Sequence, residues 1–133
     1  MRVLLADESH TMRSIVRRAL ESLGVKGTCE ASDGPQAIEM IKASRRFDLI
    51  VTDWNMPVKT GGELIHEIRA VDPEVPIVMI TSEADKWRVL EAIKAGVSDY
   101  IIKPFSTDLL RSKLEQFTSH LAPAGRRGAV ASS

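Results

Sequence analysis

The chain predicts a doubly wound α/β domain, a five-stranded parallel sheet covered by five helices. Three observations carry that expectation. Short apolar runs alternate with segments whose apolar residues recur every three or four positions, with brief connections and no long-period repeat. The runs starting at Val3, Leu49 and Ile77 are uninterrupted, as strands covered on both faces are. Four runs also stop at polar groups: Val3-Leu4-Leu5-Ala6 at Asp7-Glu8, Leu49-Ile50-Val51-Thr52 at Asp53, Ile77-Val78-Met79-Ile80 at Thr81-Ser82, and Tyr100-Ile101-Ile102 at Lys103-Pro104.

After the first strand, Met12, Ile15, Val16, Ala19, Leu20 and Leu23 form the inner stripe of a helix that Gly24 stops. Arg13, Arg17 and Arg18 fall on its polar face and read as solvated charges, since acids elsewhere balance them. The second strand, Thr28-Cys29-Glu30-Ala31, is short and mixed, which suits a sheet edge. Asp33-Gly34-Pro35 opens the next helix, with Pro35 where a missing amide costs nothing, and Ala37, Ile38 and Ile41 face inward. Behind the Leu49 strand, Gly61-Gly62 precede a third helix carrying Leu64, Ile65 and Ile68, which Asp72-Pro73 ends.

Behind the Ile77 strand, a fourth helix is expected from about residue 84 to 95, with Val89, Leu90 and Ile93 inward and Gly96 closing it. The last helix starts near Ser106, a suitable N-cap, and carries Leu110, Leu114, Phe117 and Leu121. With the more polar second and fifth strands at the edges, the expected order is 2-1-3-4-5, the flavodoxin-like arrangement, and right-handed crossovers allow little else. The pattern fails from Ala122, so residues 1–121 read as one domain and 122–133 as a flexible tail or the start of a linker.

At 133 residues with zero formal net charge, the chain suits one domain and carries no electrostatic footprint for nucleic acid or membrane. Cys29 is the only cysteine, so no intrachain disulfide can form, which is compatible with a reducing compartment. No apolar stretch approaches membrane-spanning length and no signal-peptide pattern opens the chain, so a cytoplasmic location is expected. His10, His66 and His120 show no ligand spacing to one another or to Cys29, which argues against zinc.

If the runs are parallel strands, their carboxyl ends share the edge where open α/β sheets bind ligands. Asp7, Glu8, Asp53, Thr81 and Lys103 would then face one crevice. Packed carboxylates repel one another, and a divalent cation relieves that; Mg2+ takes oxygen ligands and leaves positions for phosphate oxygens. A lysine and a hydroxyl can balance phosphoryl charge, and a carboxylate such as Asp53 can accept the group. Each residue alone has an ordinary alternative: the acids and Thr81 as helix caps, Lys103 as a surface charge.

Four segments in order, Ala6-Asp7-Glu8 with Thr11-Met12-Arg13, Asp53-Trp54-Asn55-Met56-Pro57, Ile80-Thr81-Ser82-Glu83-Ala84 and Tyr100-Ile101-Ile102-Lys103-Pro104-Phe105, resemble response-regulator receiver domains, most closely the stand-alone chemotaxis regulators. The resemblance covers roughly residues 1 to 120. It implies Asp53 as phosphoacceptor from a histidine kinase, and Mg2+ held by Asp7, Glu8, Asp53 and the Asn55 backbone carbonyl. It implies Lys103 as the phosphoryl contact before a cis proline, Thr81 as the switch hydroxyl and Tyr100 as the switch aromatic. Asn55 and Glu83 match positions that tune hydrolysis, and this pair resembles that of fast-cycling regulators, so a short-lived phosphoryl state is expected.

A partner face of Lys86, Trp87, Val89, Tyr100 and Lys113 is expected, although Trp87 could simply lie over its neighbours. The resemblance implies a monomeric signalling switch that catalyses only its own phosphorylation and dephosphorylation, with a flagellar motor switch protein and a phosphatase as further partners. Two departures stand out: Glu8 where Asp is commoner, and Thr60-Gly61 where Asp-Gly is usual. Three alternatives remain at this stage. One is a receiver from a larger regulator or phosphorelay. Another is a small Mg2+-dependent aspartyl-phosphate phosphotransferase acting on metabolites. A nucleotide or flavin binder is the third, and no glycine-rich loop supports it.

Overall fold

In the computed structural model, residues 1–43, 46–55, 61–82 and 86–119 are described, without the side chains of residues 86–88. The expected tail at 122–133, along with His120 and Leu121, lies outside them. Strands and helices alternate as β1 Arg2–Ala6, α1 His10–Ser22, β2 Gly27–Ala31, α2 Gly34–Ala43, β3 Leu49–Asp53, α3 Gly61–Val71, β4 Ile77–Thr81, α4 Lys86–Ala95, β5 Asp99–Ile102 and α5 Thr107–Thr118. All four strand pairings are parallel, in the order β2-β1-β3-β4-β5. None of the helices is long and apolar enough to cross a membrane among the described residues.

Because successive strand residues point to opposite faces, each central strand feeds two cores. Leu4, Ala6, Ile50, Ile77 and Met79 meet Ile38 and Ile41 of α2 and Leu64, Ile65 and Ile68 of α3. Val3, Leu5, Leu49, Val51, Val78 and Ile80 meet Val16 and Leu20 of α1 and Leu110 and Leu114 of α5. Thus β3 and β4 are buried along their whole length, while β2 and β5 are only partly covered.

Local signals match the helix ends. Ser9 Oγ accepts from Met12 N at 3.1 Å, and Ser106 Oγ accepts from Leu109 N at 3.0 Å. Asp33 Oδ1 accepts from Gln36 N at 2.8 Å at the start of α2. Gly24 and Gly96 close α1 and α4 at φ of 91° and 113°, a region that residues with a Cβ rarely adopt.

Four expectations need correction. Gly61-Gly62 do not precede α3; the helix starts at Gly61, and a Cβ on Gly62 would stand 3.6 Å from the Trp54 ring. Arg13 is not a solvated charge: it is mostly covered and paired with Glu30. Ile15 is 38% exposed, at the edge of the α1 stripe. Leu90 and Ile93 are 45% and 51% exposed, not inward. The inward residues of α4 are instead Ala92, which is buried, and Ala95, partly buried and packed against the same core, while Val89 is half-buried. These two small side chains pack into the core shared with α3, and this turns the larger Leu90 and Ile93 outward.

Candidate phosphoryl-transfer site

The site forms where β1, β3, β4 and β5 end. Parallel register places Ala6 opposite Thr52, Asp53 opposite Ile80, and Thr81 opposite Ile102, so the residues that follow the strands converge. Asp7, Asp53 and Thr81 are all buried there.

Both oxygens of the Asp53 carboxylate are engaged. Oδ1 accepts from Asn55 N at 3.1 Å, and Oδ2 meets Lys103 Nζ at 3.1 Å. Lys103 is itself fixed at its backbone, whose N–H donates to Thr81 O at 2.7 Å, and the Lys103-Pro104 peptide is cis. Beside Lys103 a groove of about 570 Å3, lined by Met12, Ile15, Ser82, Pro104 and Phe105, opens to solvent.

Asp7 is held at three points. Its N–H donates to Ala31 O of β2 at 3.0 Å, its Oδ1 accepts from Ser9 N at 2.8 Å, and its carbonyl accepts from Arg13 Nη1 at 2.5 Å. Burial pushes its carboxyl above the usual carboxylate range, and the charge of Asp53 pushes the same way. The Ser9 amide, Lys103 and Arg13 pull in the opposite direction without cancelling the rise.

Glu8 does not join this pair. It is exposed, and it is not among the charges that act on Asp7. The backbone turns away from the sheet at this point toward the Ser9 cap, so consecutive side chains diverge: Asp7 in, Glu8 out. Among the described residues, no three carboxylate, histidine or cysteine side chains gather as a metal cluster. The donor chemistry still fits Mg2+. Two buried carboxylates, one with a raised proton affinity caused partly by the other, form a hard-oxygen anionic site that a small cation relieves.

Of the remaining expected residues, Asn55 is exposed at the rim, and Glu83 lies outside the described residues. Tyr100 is half-buried on β5, with Lys113 Nζ 5.5 Å from its ring centroid. Lys113 is also paired with Asp99 at 3.0 Å, so it is not a free surface cation. Val89 is half-buried, and the side chains of Lys86 and Trp87 are outside the described set. Trp54, next to Asp53 in the chain, is buried in the α3-side core.

Sequence reading missed the Arg13–Glu30 pair. Arg13 Nε and Glu30 Oε1 are 2.8 Å apart, and Arg17 Nη1 pairs with Glu30 Oε2. Burial alone would raise the Glu30 carboxyl, but the Arg13 and Arg17 guanidiniums hold it below its usual range. The available signal was two arginines four residues apart on one helix face and a lone acid on an otherwise uncharged edge strand.

Comparison with known proteins bears directly on this geometry. The response regulator receiver domain family matches residues 3–115. The chain belongs to that family. The receiver is 42% identical over 118 residues to chemotaxis protein CheY of Pseudomonas aeruginosa, covering 87% of this chain and 94% of that protein. Its fold matches the structure of chemotaxis response regulator CheY4 of Vibrio cholerae with a TM-score of 0.78 at 31% identity, over 87% of this chain and 97% of that one. It also matches the receiver domain of sensor histidine kinase PA1611 from Pseudomonas aeruginosa, with a TM-score of 0.76 at 30% identity, over 87% and 95% of the two chains. That PA1611 structure has a magnesium ion coordinated in its active-site cleft. Receivers are signalling switches of two-component systems, phosphorylated and read out by a change of partner binding.

Proposed function

We propose that this receiver takes a phosphoryl group from a chemotaxis-type histidine kinase onto Asp53 and thereby switches the partners it binds. The observation that carries this reading is the paired carboxylate at the end of β3: buried, fixed by Asn55 N–H, and in contact with the single ammonium of Lys103. A carboxylate oxygen of Asp53 attacks phosphorus, the phosphorus–nitrogen bond of the donor phosphohistidine breaks, and the imidazole leaves with the electron pair and takes up a proton. Lys103 neutralises charge on the transferred group, and Thr81, at the end of β4, supplies the hydroxyl that responds to it.

Asp7, Asp53 and the Asn55 carbonyl would hold Mg2+, whereas the exposed Glu8 lies beside them without joining the buried pair. The cation supplies charge neutralisation where carboxylates and phosphate meet. Thr81 and Tyr100 then bias a two-state equilibrium at the face formed by α4, β5 and α5. Lys86, Trp87, Val89 and Lys113 contribute to that face. The names of the relatives support a role in chemotaxis; on that reading its further partners are a flagellar motor switch protein and a phosphatase, its location is cytoplasmic, and its turnover is limited to its own phosphoryl group. Asn55 and Glu83 set a short phosphoryl lifetime.

Acetyl phosphate with Mg2+ tests the chemistry. Intact mass is expected to show one added phosphoryl group, with a Mg2+-dependent change in fluorescence from Trp54, which adjoins Asp53. Removal of the donor should return both signals within minutes; a modified form persisting for hours would contradict the fast-cycling assignment. Lys103→Met is expected to act with opposite signs on two measurements. It removes an ammonium that competes with the cation for Asp53, so Mg2+ should bind more tightly. It also removes a donor to the developing charge, so phosphorylation should slow about 10²-fold. Stopped-flow fluorescence and a Mg2+ titration on the same variant separate the two.

A further inference from the structure

Asp7 stands between a strand it pairs with and a helix that follows it, and both of its main-chain groups are held from outside the β1–α1 connection. Its N–H goes to Ala31 O, at the end of the edge strand β2. Its C=O accepts from Arg13 Nη1, and the same guanidinium donates through Nε to Glu30, the residue before Ala31. Arg17, one turn further along α1, holds the other Glu30 oxygen. The Arg13 side chain is only 14% exposed. It therefore bridges the edge strand and the acid-bearing loop with two of its hydrogen-bonding nitrogens in fixed geometry, which a lysine cannot reproduce.

Resting on the function proposed above, we infer that Arg13, anchored by Glu30, is a positioning residue for the cation site. It fixes the peptide of Asp7, so that the Asp7 carboxylate, already tied to Ser9 N–H, stays in the crevice that Asp7, Asp53 and Arg13 line together. Cation affinity then depends on a guanidinium that never touches the cation, as outer contacts to metal-binding groups commonly tune affinity.

Two mechanisms by which Arg13 could act on Mg2+ predict opposite signs. As a mere nearby positive charge, Arg13 weakens cation binding, so Arg13→Met would tighten it and Arg13→Lys would leave it unchanged. As a positioning residue it strengthens binding, so both variants weaken it. Arg13→Met keeps most of the side-chain volume, and Arg13→Lys keeps the charge while losing the two-point grip.

The experiment is a Mg2+ titration of wild type, Arg13→Met, Arg13→Lys and Asp7→Asn, by calorimetry and Trp54 fluorescence, with thermal melts in parallel. The dissociation constant is expected to rise about tenfold in Arg13→Met and by a smaller, measurable factor in Arg13→Lys. An unchanged or tighter constant in Arg13→Met overturns the inference, whether or not the melting temperature falls. If Arg13→Met does not fold, an unchanged constant in Arg13→Lys overturns it equally. Should wild type bind no Mg2+, or bind it as well after Asp7→Asn, the functional reading fails and this inference fails with it. Binding that Asp7→Asn removes and Arg13→Met leaves intact overturns the inference alone.

Discussion

Asp53→Asn is expected to abolish phosphoryl uptake from acetyl phosphate, with no added mass at donor concentrations that fully modify the wild type. The amide is nearly isosteric with the carboxylate, and its oxygen can still accept the Asn55 N–H. What disappears is the nucleophilic oxygen pair and the charge that pairs with Lys103 Nζ at 3.1 Å. Removal of a covalent nucleophile is the largest single effect available at such a site, well beyond the loss of one stabilising donor. A phosphorylated Asp53→Asn protein would mean that another group accepts the phosphoryl, and peptide mapping would then separate Thr81 from His10. The variant should keep its fold, because the sheet register around position 53 depends on backbone bonds that the substitution leaves in place.

The order and pairing of the strands were legible because two different signals agreed. Uninterrupted apolar runs marked the strands beginning at Val3, Leu49 and Ile77 as central, and polar content marked those near Cys29 and Tyr100 as edges. Helix ends were legible where a specific residue type has one physical use, as with Ser106 as a cap and Gly24 and Gly96 at positive φ, whereas the Ser9 cap of α1 went unread. The inner face of α4 was misread for an identifiable reason. Periodicity weighs large apolar residues, whereas a helix packed closely on its neighbour buries small ones, so Ala92 was hidden from a search that found Leu90 and Ile93.

At the site, Asp7, Asp53, Thr81 and Lys103 were foreseeable from strand ends alone, since each is the residue at or just after the last strand position. The outward turn of Glu8 was not, because alternation holds only while the chain is a strand, and the turn toward the Ser9 cap decides which way the next side chain points. The Arg13–Glu30 pair was equally invisible: it joins α1 to β2 across 17 positions of sequence, and no local pattern specifies such a contact.

Asp7→Asn is expected to make the Mg2+-free protein more stable at neutral pH while removing most of its Mg2+ binding. Burial and the charge of Asp53 hold the folded Asp7 carboxyl above 3.8, its value in an unfolded chain. The folded state therefore binds this proton more tightly than the unfolded state does, and stability falls as pH rises from about 3.8 through the raised folded value. Above that window the whole cost of an ionised, buried Asp7 is present. Asparagine keeps the Ser9 N–H bond and removes that cost, although it also gives up the attraction of Lys103 and Arg13. The upward direction of the shift says that burial and repulsion outweigh that attraction. The gain should be on the order of 1 kcal/mol, a few degrees in melting temperature, and should vanish below the unfolded-state pKa. Added Mg2+ reverses the comparison. A ligand that binds only the folded state stabilises by mass action, and wild type retains the paired carboxylates that bind it. Melts with chelator and with Mg2+ should therefore cross in rank order: Asp7→Asn ahead without the cation, wild type gaining steadily with it. A variant less stable than wild type in chelator would show that the Asp7 carboxylate stabilises the fold, and the cation would then have no repulsion to relieve.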